Sequence, residues 1–109
     1  MARASSRKEV LSLGATELFQ AARNAVEKLN WNIVEADPYN GKIFAKTKMG
    51  FKSWGEDIYV RISPEPAGST IEVTSRLSSQ LRDWGKNTDN QKDFFAQLGF
   101  EILKLHLMH

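Results

Sequence analysis

Two stretches in the middle of the chain alternate between apolar and polar residues, and this alternation constrains the fold more than any other feature. One stretch runs from Glu56 to Ser63 and the other from Ser69 to Leu77. A period of two is typical of β-strands that bury one face and expose the other. The residues predicted to face inward are Ile58, Val60, Ile62, Ile71, Val73, Ser75 and Leu77. The short proline- and glycine-containing segment 64–68 predicts that the two strands pair as an antiparallel hairpin.

The preceding residues predict a second hairpin. Residues 31–36 and 42–48 also alternate, and they flank a turn in which Pro38 fixes φ and Gly41 accepts a positive φ. In the first of these strands, alternation predicts one face with Trp31, Ile33 and Glu35 and an opposite face with Asn32, Val34 and Ala36. Four successive strands with short connections predict an antiparallel meander.

A helical period appears before the strands. From Thr16 to Leu29, apolar residues recur every three or four positions, which predicts an amphipathic helix packed on a core. Thr16 is its predicted N-cap, and Asn30 is predicted to adopt the left-handed conformation just after its end.

The last part of the chain predicts a longer helix that begins near Asn87 or Thr88. Gln91 is predicted to reach back and complete a capping box. Its core-facing residues are predicted to be Phe94, Phe95, Leu98, Ile102 and Leu105. Three further apolar residues lie off this stripe: Phe100, Leu103 and Leu107. Either loops cover this second surface, or it is the interface of a homodimer or of a docked partner.

The order of these elements predicts an α+β fold. It is a two-layer sandwich in which an N-terminal and a long C-terminal helix pack on one face of an antiparallel sheet. The sheet has four strands, or five if the stretch from Val10 to Leu13 forms a strand. We expect a flexible basic tail at residues 1–9 and a single α+β domain at residues 10–109.

Several segments also carry a family resemblance. They are residues 29–38, 41–45, 49–51, 56–62 and 68–76, and Asp83-Trp84-Gly85-Lys86-Asn87. The most specific signal is the Ser75-Arg76 pair followed by Asp-x-Gly-x-Asn before the last helix. Over roughly residues 15–100, the chain resembles the bacterial and plastid domain-of-unknown-function family 1499. The resemblance implies a bacterial or plastid domain, and it implies no established activity, cofactor or catalytic residue.

The residues that catalysis or metal binding requires are scarce. The chain has no cysteine, which excludes disulfides, thiolate nucleophiles and cysteine-ligated zinc. Its two histidines, His106 and His109, end the last helix without a carboxylate pair beside them. The serines lack a partner histidine, and the glycines form no phosphate-binding motif. We therefore expect a protein that is not an enzyme and has no catalytic residue, metal or cofactor.

Charge and hydropathy restrict the partners and the location. The chain has 15 basic and 13 acidic residues, a net charge of +2, and its charges alternate in sign. Nucleic-acid partners usually need a concentrated basic surface with several stacking rings, so we expect none here. No apolar stretch is long enough for a signal peptide or a membrane span. We expect a cytoplasmic protein without integral membrane contact.

The connection between the last strand and the last helix is richest in ligand-binding residue types. Its candidates are Arg76, Asp83, Trp84, Gly85 and Asn87. They combine charges, an aromatic ring and the free N–H groups of a helix start, which suit a polar or anionic ligand. Alternatively, they only stabilise the turn and cap the helix, with Arg76 paired to Asp57 or Glu72. Phe51 and Trp54, in a loop with glycines, are further candidates.

The function predicted from these features is binding without catalysis. A non-enzymatic module would hold a small apolar, lipid-like or anionic ligand in the cleft between the sheet and the C-terminal helix. The candidate walls of this cleft are Phe51, Trp54, Trp84, Phe95 and Phe100. The alternative is a structural interaction domain that homodimerises or docks through the last helix.

Overall fold

Five strands and two helices form two layers. The computed structural model describes residues 4–47, 55–77 and 86–107. In chain order the elements are β1 (Ala4–Leu11), α1 (Ala15–Lys28), β2 (Asn32–Asp37), β3 (Lys42–Lys46), β4 (Glu56–Glu65), β5 (Gly68–Leu77) and α2 (Lys86–Leu107). The strands form one antiparallel sheet in the order β1-β5-β4-β3-β2, and both helices pack on one face of it. The predicted α+β sandwich is confirmed, and the sheet has five strands.

The face of β4 and β5 beneath the helices, which we call the inner face, is apolar as the alternation predicts. Ile58, Val60 and Ile62 of β4 are buried, and so are Ile71 and Val73 of β5. The two strands pair along their whole length. Full burial of one such side chain contributes roughly 1.5–3 kcal/mol to folding, so this hairpin is the centre of the core.

Most of the predicted flexible tail is a strand, β1. Residues 4–9 belong to this strand, and it pairs with β5 from Ala4 opposite Arg76 to Leu11 opposite Ser69. The prediction of a tail at residues 1–9 is therefore wrong for this part, and the strand begins well before the expected Val10. Its side chains are mostly polar, but its backbone hydrogen bonds to β5 form whatever the side chains are.

Strand β2 contains an irregularity that alternation alone does not predict. The register against β3 shifts between Ile33 and Glu35, which makes Val34 the extra residue of a β-bulge. Ala36 then pairs with Ile43 on the inner face. The prediction that Glu35 shares a face with Ile33, and Ala36 the opposite face, is therefore wrong.

The turn between β2 and β3 is tightly built. Gly41 has a φ of 65°, as its predicted turn position requires, and a Cβ atom there would collide with the carbonyl oxygen of Ile62. The carboxylate of Asp37 accepts hydrogen bonds from the side chain of Asn40 at 2.7 Å and from the backbone N–H of Tyr39 at 3.1 Å. The bonds from Asn40, first that of its side chain, hold the pKa of Asp37 below its ordinary value.

Helix α1 begins two residues earlier than a threonine cap would place it. Gly14 occupies the N-cap position, and its carbonyl oxygen accepts the N–H of Leu18 at 2.9 Å. Thr16 therefore lies inside the helix, and its prediction as the N-cap is wrong. Asn30 has a φ of 62°, which confirms the predicted left-handed residue after the helix. The buried residues of α1 are Leu18, Phe19, Ala21, Ala22, Ala25 and Val26.

Helix α2 lies beside α1 on the same face of the sheet and completes the core. Phe94 and Leu98 are buried, and the ring of Phe94 stacks on Trp31 with centroids 6.3 Å apart. Phe95 meets Phe94 edge to face at 5.5 Å. Within the described residues, neither helix combines the length and the apolar character needed to cross a membrane.

Candidate functional site

Most of the ligand-site residues predicted from the sequence fall outside the described part of the chain. These are Phe51, Trp54, Asp83, Trp84 and Gly85. Asn87 lies in the first turn of α2, but its side chain is not among those described. The segments that carry these residues, 48–54 and 78–85, are attached to the same end of the sheet, because the first joins β3 to β4 and the second joins β5 to α2.

Arg76 lies away from the layer between the sheet and the helices. It is exposed on the sheet face opposite the helices, which we call the outer face, and its strand partner there is Asp57. The carboxylate of Asp57 accepts Lys46 Nζ at 2.8 Å, and Arg76 forms no ion pair with a described residue. The predicted cross-strand placement of Arg76 beside Asp57 is therefore confirmed without an ion pair between the two, and Arg76 does not line the cleft under α2.

The inner face becomes polar at the end of the sheet to which these two segments are attached. We call this region the polar end, and it comprises Ser5 of β1, Glu56 of β4, Ser75 of β5 and Gln91 of α2. Glu56, Ser75 and Gln91 are buried, and Ser5 is half-buried. Ser5 and Ser75 are direct partners across β1 and β5, in the same row as the aliphatic Ile58.

Gln91 connects α2 to the edge of the sheet. Its side-chain nitrogen donates to the carbonyl oxygen of Ser5 at 2.7 Å and lies 3.0 Å from Ser5 Oγ. It also lies 3.5 Å from the carbonyl oxygen of Val73. A buried amide that crosses the layer fixes the distance between the helix and β1, because its loss would leave buried acceptors without a donor.

The base of segment 48–54 is held at the same end. Glu56 N–H donates to Thr47 Oγ1 at 2.8 Å, and Thr47 N–H donates to the carbonyl oxygen of Glu56 at 3.0 Å. These two bonds bring the ends of the segment together. The backbone of Glu56 is therefore fixed where its carboxylate is buried in the polar end.

Strand β1 and α2 face each other through polar and aromatic groups. Arg7 points to the inner face, and its guanidinium carbon lies 4.3 Å from the centroid of the Phe95 ring. Arg7 Nε also pairs with a Glu9 carboxylate oxygen at 3.0 Å. Both charged side chains are more than a third exposed, so water reaches this edge of the layer. The contact between β1 and α2 therefore differs from the dry contact between β4 and the helices.

Sequence reasoning found part of this arrangement. The alternation of β5 predicts Ser75 on the inner face, and the same alternation extended to the start of β4 would have placed Glu56 there. The sequence predicts a capping role for Gln91 and does not predict its contact with β1. Ser5 and Arg7 were missed because their strand was predicted to be a tail.

The outer side of α2 carries the candidate interface. Phe100, Leu103 and Leu107 are 61%, 54% and 77% exposed. Phe100 therefore points away from the sheet and is not a wall of the cleft, contrary to the prediction, whereas Phe95 is half-buried and faces Arg7.

No group of three side chains suitable for metal binding occurs among the described residues. His106 is exposed in the last turn of α2, and His109 lies outside the described residues. The groups gathered at the edge between β1 and α2 are therefore not metal ligands. They are the hydrogen-bonding groups of Ser5 and Gln91, the cation of Arg7 and the ring of Phe95.

Comparison with known proteins gives the fold. Ara h 8.0201, in its crystal structure, matches with a TM-score of 0.66 and 12% identity, over 94% of this chain and 99% of that chain. An uncharacterized protein from Rhizobium leguminosarum matches with a TM-score of 0.58 and 11% identity, over 95% of this chain and 96% of that chain. No family model and no curated protein matches the sequence, and the resemblance to family 1499 stays a prediction. The likeness to these two structures concerns the α+β fold alone.

Proposed function

We propose that the protein is a non-enzymatic module that binds a small amphipathic ligand between the sheet and α2, at the polar end. The observation that carries this proposal is the change in the inner face from aliphatic residues to Ser5, Glu56, Ser75 and Gln91. Burial of polar groups costs free energy unless they are paired. A layer selected for stability alone would continue the aliphatic pattern to this end.

The groups at this edge favour a particular ligand chemistry. Arg7 offers a cation, the amide of Gln91 and the hydroxyl of Ser5 offer hydrogen bonds, and the ring of Phe95 offers an apolar surface. A molecule with an apolar body and an anionic head matches this set. Phe51, Trp54 and Trp84, on segments attached at this end, remain candidate walls.

The fold supports the same function in a general way. A long helix packs on an antiparallel sheet, and the connecting segments 48–54 and 78–85 are attached at the polar end. The likeness to Ara h 8.0201 concerns this architecture and does not identify a ligand for this chain. The chemistry of the proposed ligand therefore rests on the side chains of this chain.

The test is titration with 1-anilinonaphthalene-8-sulfonate, an apolar fluorophore with one anionic group. We expect its fluorescence to rise with the folded protein, while near-ultraviolet circular dichroism shows that the tertiary structure is intact. Arg7→Gln should weaken binding about tenfold, because one charge-assisted contact is lost. Gln91→Leu should also weaken it.

Lys8→Gln is the matched control. It makes the same charge change on the next residue of β1, whose side chain points to the outer face, and it should leave the dissociation constant within about twofold of the wild type. Equal weakening by Arg7→Gln and Lys8→Gln would show that only net charge matters. That result, or the absence of any fluorescence rise with the wild type, would contradict the proposal.

A second candidate function is self-association through α2. Phe100, Leu103 and Leu107 are spaced by three and four residues, so they form one stripe, and all three are more than half exposed. A stripe of this kind on one helix is self-complementary across a two-fold axis, which favours a second copy of the chain as its partner. The stripe is small for an interface, so we expect a weak dimer.

Light scattering after gel filtration tests this second candidate. We expect a wild-type dimer at high concentration and a folded monomer for Leu103→Lys. Tyr39→Lys is the control, because Tyr39 is 99% exposed on the turn between β2 and β3. A wild-type monomer at every concentration would exclude the dimer.

A further inference from the structure

The outer face of the sheet carries two aromatic rings side by side. Phe44 of β3 is the direct partner of Tyr59 of β4, and their rings stack with centroids 4.7 Å apart and planes 12° apart. Tyr59 is 41% exposed, and Phe44 is half-buried. The two rings stabilise each other, but no helix covers them.

Two cations occupy the next outward position on the same strands. Lys42 is the direct partner of Arg61, so like charges face each other, an arrangement that destabilises a sheet. Neither forms an ion pair with a residue in the described ranges, and neither does Glu72, the partner of Arg61 on β5. Asp37, the partner of Lys42 on β2, accepts the side chain of Asn40, and the charge of Lys42 attracts its carboxylate without forming an ion pair.

A groove of about 360 Å³ runs across the strands between the rings and the cations. We call it the outer groove. It is lined by Glu35, Lys42, Ile43, Phe44, Tyr59, Val60, Arg61, Glu72 and Thr74. Ile43 and Val60 direct their side chains to the inner face, so they contribute backbone to its floor. Phe44 and Tyr59 share one row of the lining with Glu35, and Lys42 and Arg61 share the next row with Glu72.

We propose that the outer groove binds a planar aromatic compound that carries one carboxylate or phosphate group. The ring of the ligand packs against Phe44 and Tyr59, and its anion lies between Lys42 and Arg61. An anion there relieves the repulsion between the two cations, which gives the facing like charges a physical reason. The volume is at the lower end of the range for small-molecule sites, so it suits a ligand of one or two fused rings.

The charges around the outer groove favour a small ligand over a nucleic-acid strand. Glu35 and Glu72 line the groove together with the two cations, and Asp57 lies farther along the same face. A strand with a phosphate at every nucleotide would place charge against these carboxylates. A single anion between Lys42 and Arg61 meets this repulsion at one position only, where the two cations offset it.

The experiment is a titration of ¹⁵N-labelled protein followed by the chemical shifts of its backbone amides. The ligands are 2-naphthoate and 2-naphthyl phosphate, which distinguish the two anions. We expect the largest shifts at residues 42–44 and 59–61, with saturation by at least one of the two compounds. Neutral 2-naphthamide, which lacks the charge, and cyclohexanecarboxylate, which lacks the aromatic ring, should each bind about tenfold more weakly.

Variants test separately whether the cations bind the anion of the ligand and whether the rings bind its aromatic part. Arg61→Gln should weaken binding of the better naphthalene anion about tenfold and should raise the midpoint of urea unfolding, because it removes a like-charge contact. Tyr59→Leu should weaken binding, and Tyr59→Phe should preserve it. Arg76→Gln, the same change on the outer face but outside the groove, should alter the dissociation constant less than about twofold.

Three results would overturn the proposal. One is the absence of saturable shifts at residues 42–44 and 59–61, including the case in which all shifts lie at the polar end. Another is equal binding of 2-naphthamide and 2-naphthoate. The third is tighter binding of polyuridylate than of either naphthalene anion, which would make the outer face a nucleic-acid surface. Because shifts locate the bound probe, failure here is distinct from failure of the site near Arg7.

Discussion

The two faces of the sheet are built from the same strands and are specified by different forces. On the inner face, Ile58 and Val60 are buried under the helices. On the outer face, Tyr59 and Arg61 are exposed, and Tyr59 stacks on Phe44 of the adjacent strand. Packing density determines which residue an inner position tolerates, whereas pairwise contacts determine an outer one. The outer face is therefore freer to carry residues that reduce stability.

The largest difference is expected between one substitution in the layer under the helices and one on the outer face. Phe94→Ala should lower the free energy of unfolding by about 3–5 kcal/mol, because it opens a cavity in a closed layer. Phe44→Ala should lower it by only about 1–2 kcal/mol, since it removes one ring stack and partial burial. Urea unfolding monitored by circular dichroism measures both. Similar losses would mean that the outer ring stack is as much a part of the core as Phe94 is.

The same contrast applies to two glycines: the space beside Gly41 is occupied by backbone, whereas the space beside Gly99 is empty. Gly41→Ala should cost at least about 2 kcal/mol, because its φ is 65° and a Cβ would meet the carbonyl oxygen of Ile62. Gly99→Ala should instead add about 0.5–1 kcal/mol, because Gly99 lies within α2 and a Cβ there meets nothing within 4 Å. Thermal unfolding of the two variants should therefore move in opposite directions. A gain from Gly41→Ala would show that this turn relaxes easily.

The smallest expected effect concerns a charge at the end of the sheet. The pKa of Asp37 is lowered, first by the side chain of Asn40, so the stabilisation is fully present above the ordinary pKa of 3.8. It is lost as the pH falls from 3.8 through the lower pKa of the folded protein. In Asn40→Ala the pKa of Asp37 should rise toward 3.8, and stability above pH 3.8 should fall because this stabilisation is lost. Carboxyl NMR titration measures this pKa, and an unchanged value would assign the shift to backbone N–H groups alone.

The sequence predicts the inner face well because burial of one face of a strand requires an apolar residue at every second position. The alternation of Ile58, Val60 and Ile62 needs no knowledge of the neighbouring strand. The same holds for the apolar stripe of α1 and for Asn30 after its end. These features depend on residues close in the chain, so a single sequence reveals them.

The outer face and β1 could not be predicted in the same way. The stack of Phe44 on Tyr59 depends on the register between two strands, and a register follows from pairing, not from either strand alone. Residues 4–9 lack apolar alternation because β1 is an edge strand whose inner face carries Ser5 and Arg7. Gln91 suits a capping box as well as a bond to β1, and only the packing of α2 decides between them.

The pairing of β1 with β5 has a consequence for how the chain reaches this fold. Strands β2 to β5 are neighbours in sequence and can pair as the chain collapses, whereas Ala4 must find Arg76 across almost the whole domain. Contacts of such long sequence separation form late. Until β1 arrives, the edge of β5 presents free N–H and C=O groups that a second molecule can pair with. Once it is docked, β1 pairs the edge of β5 and moves the open edge of the sheet to its own, mostly polar strand.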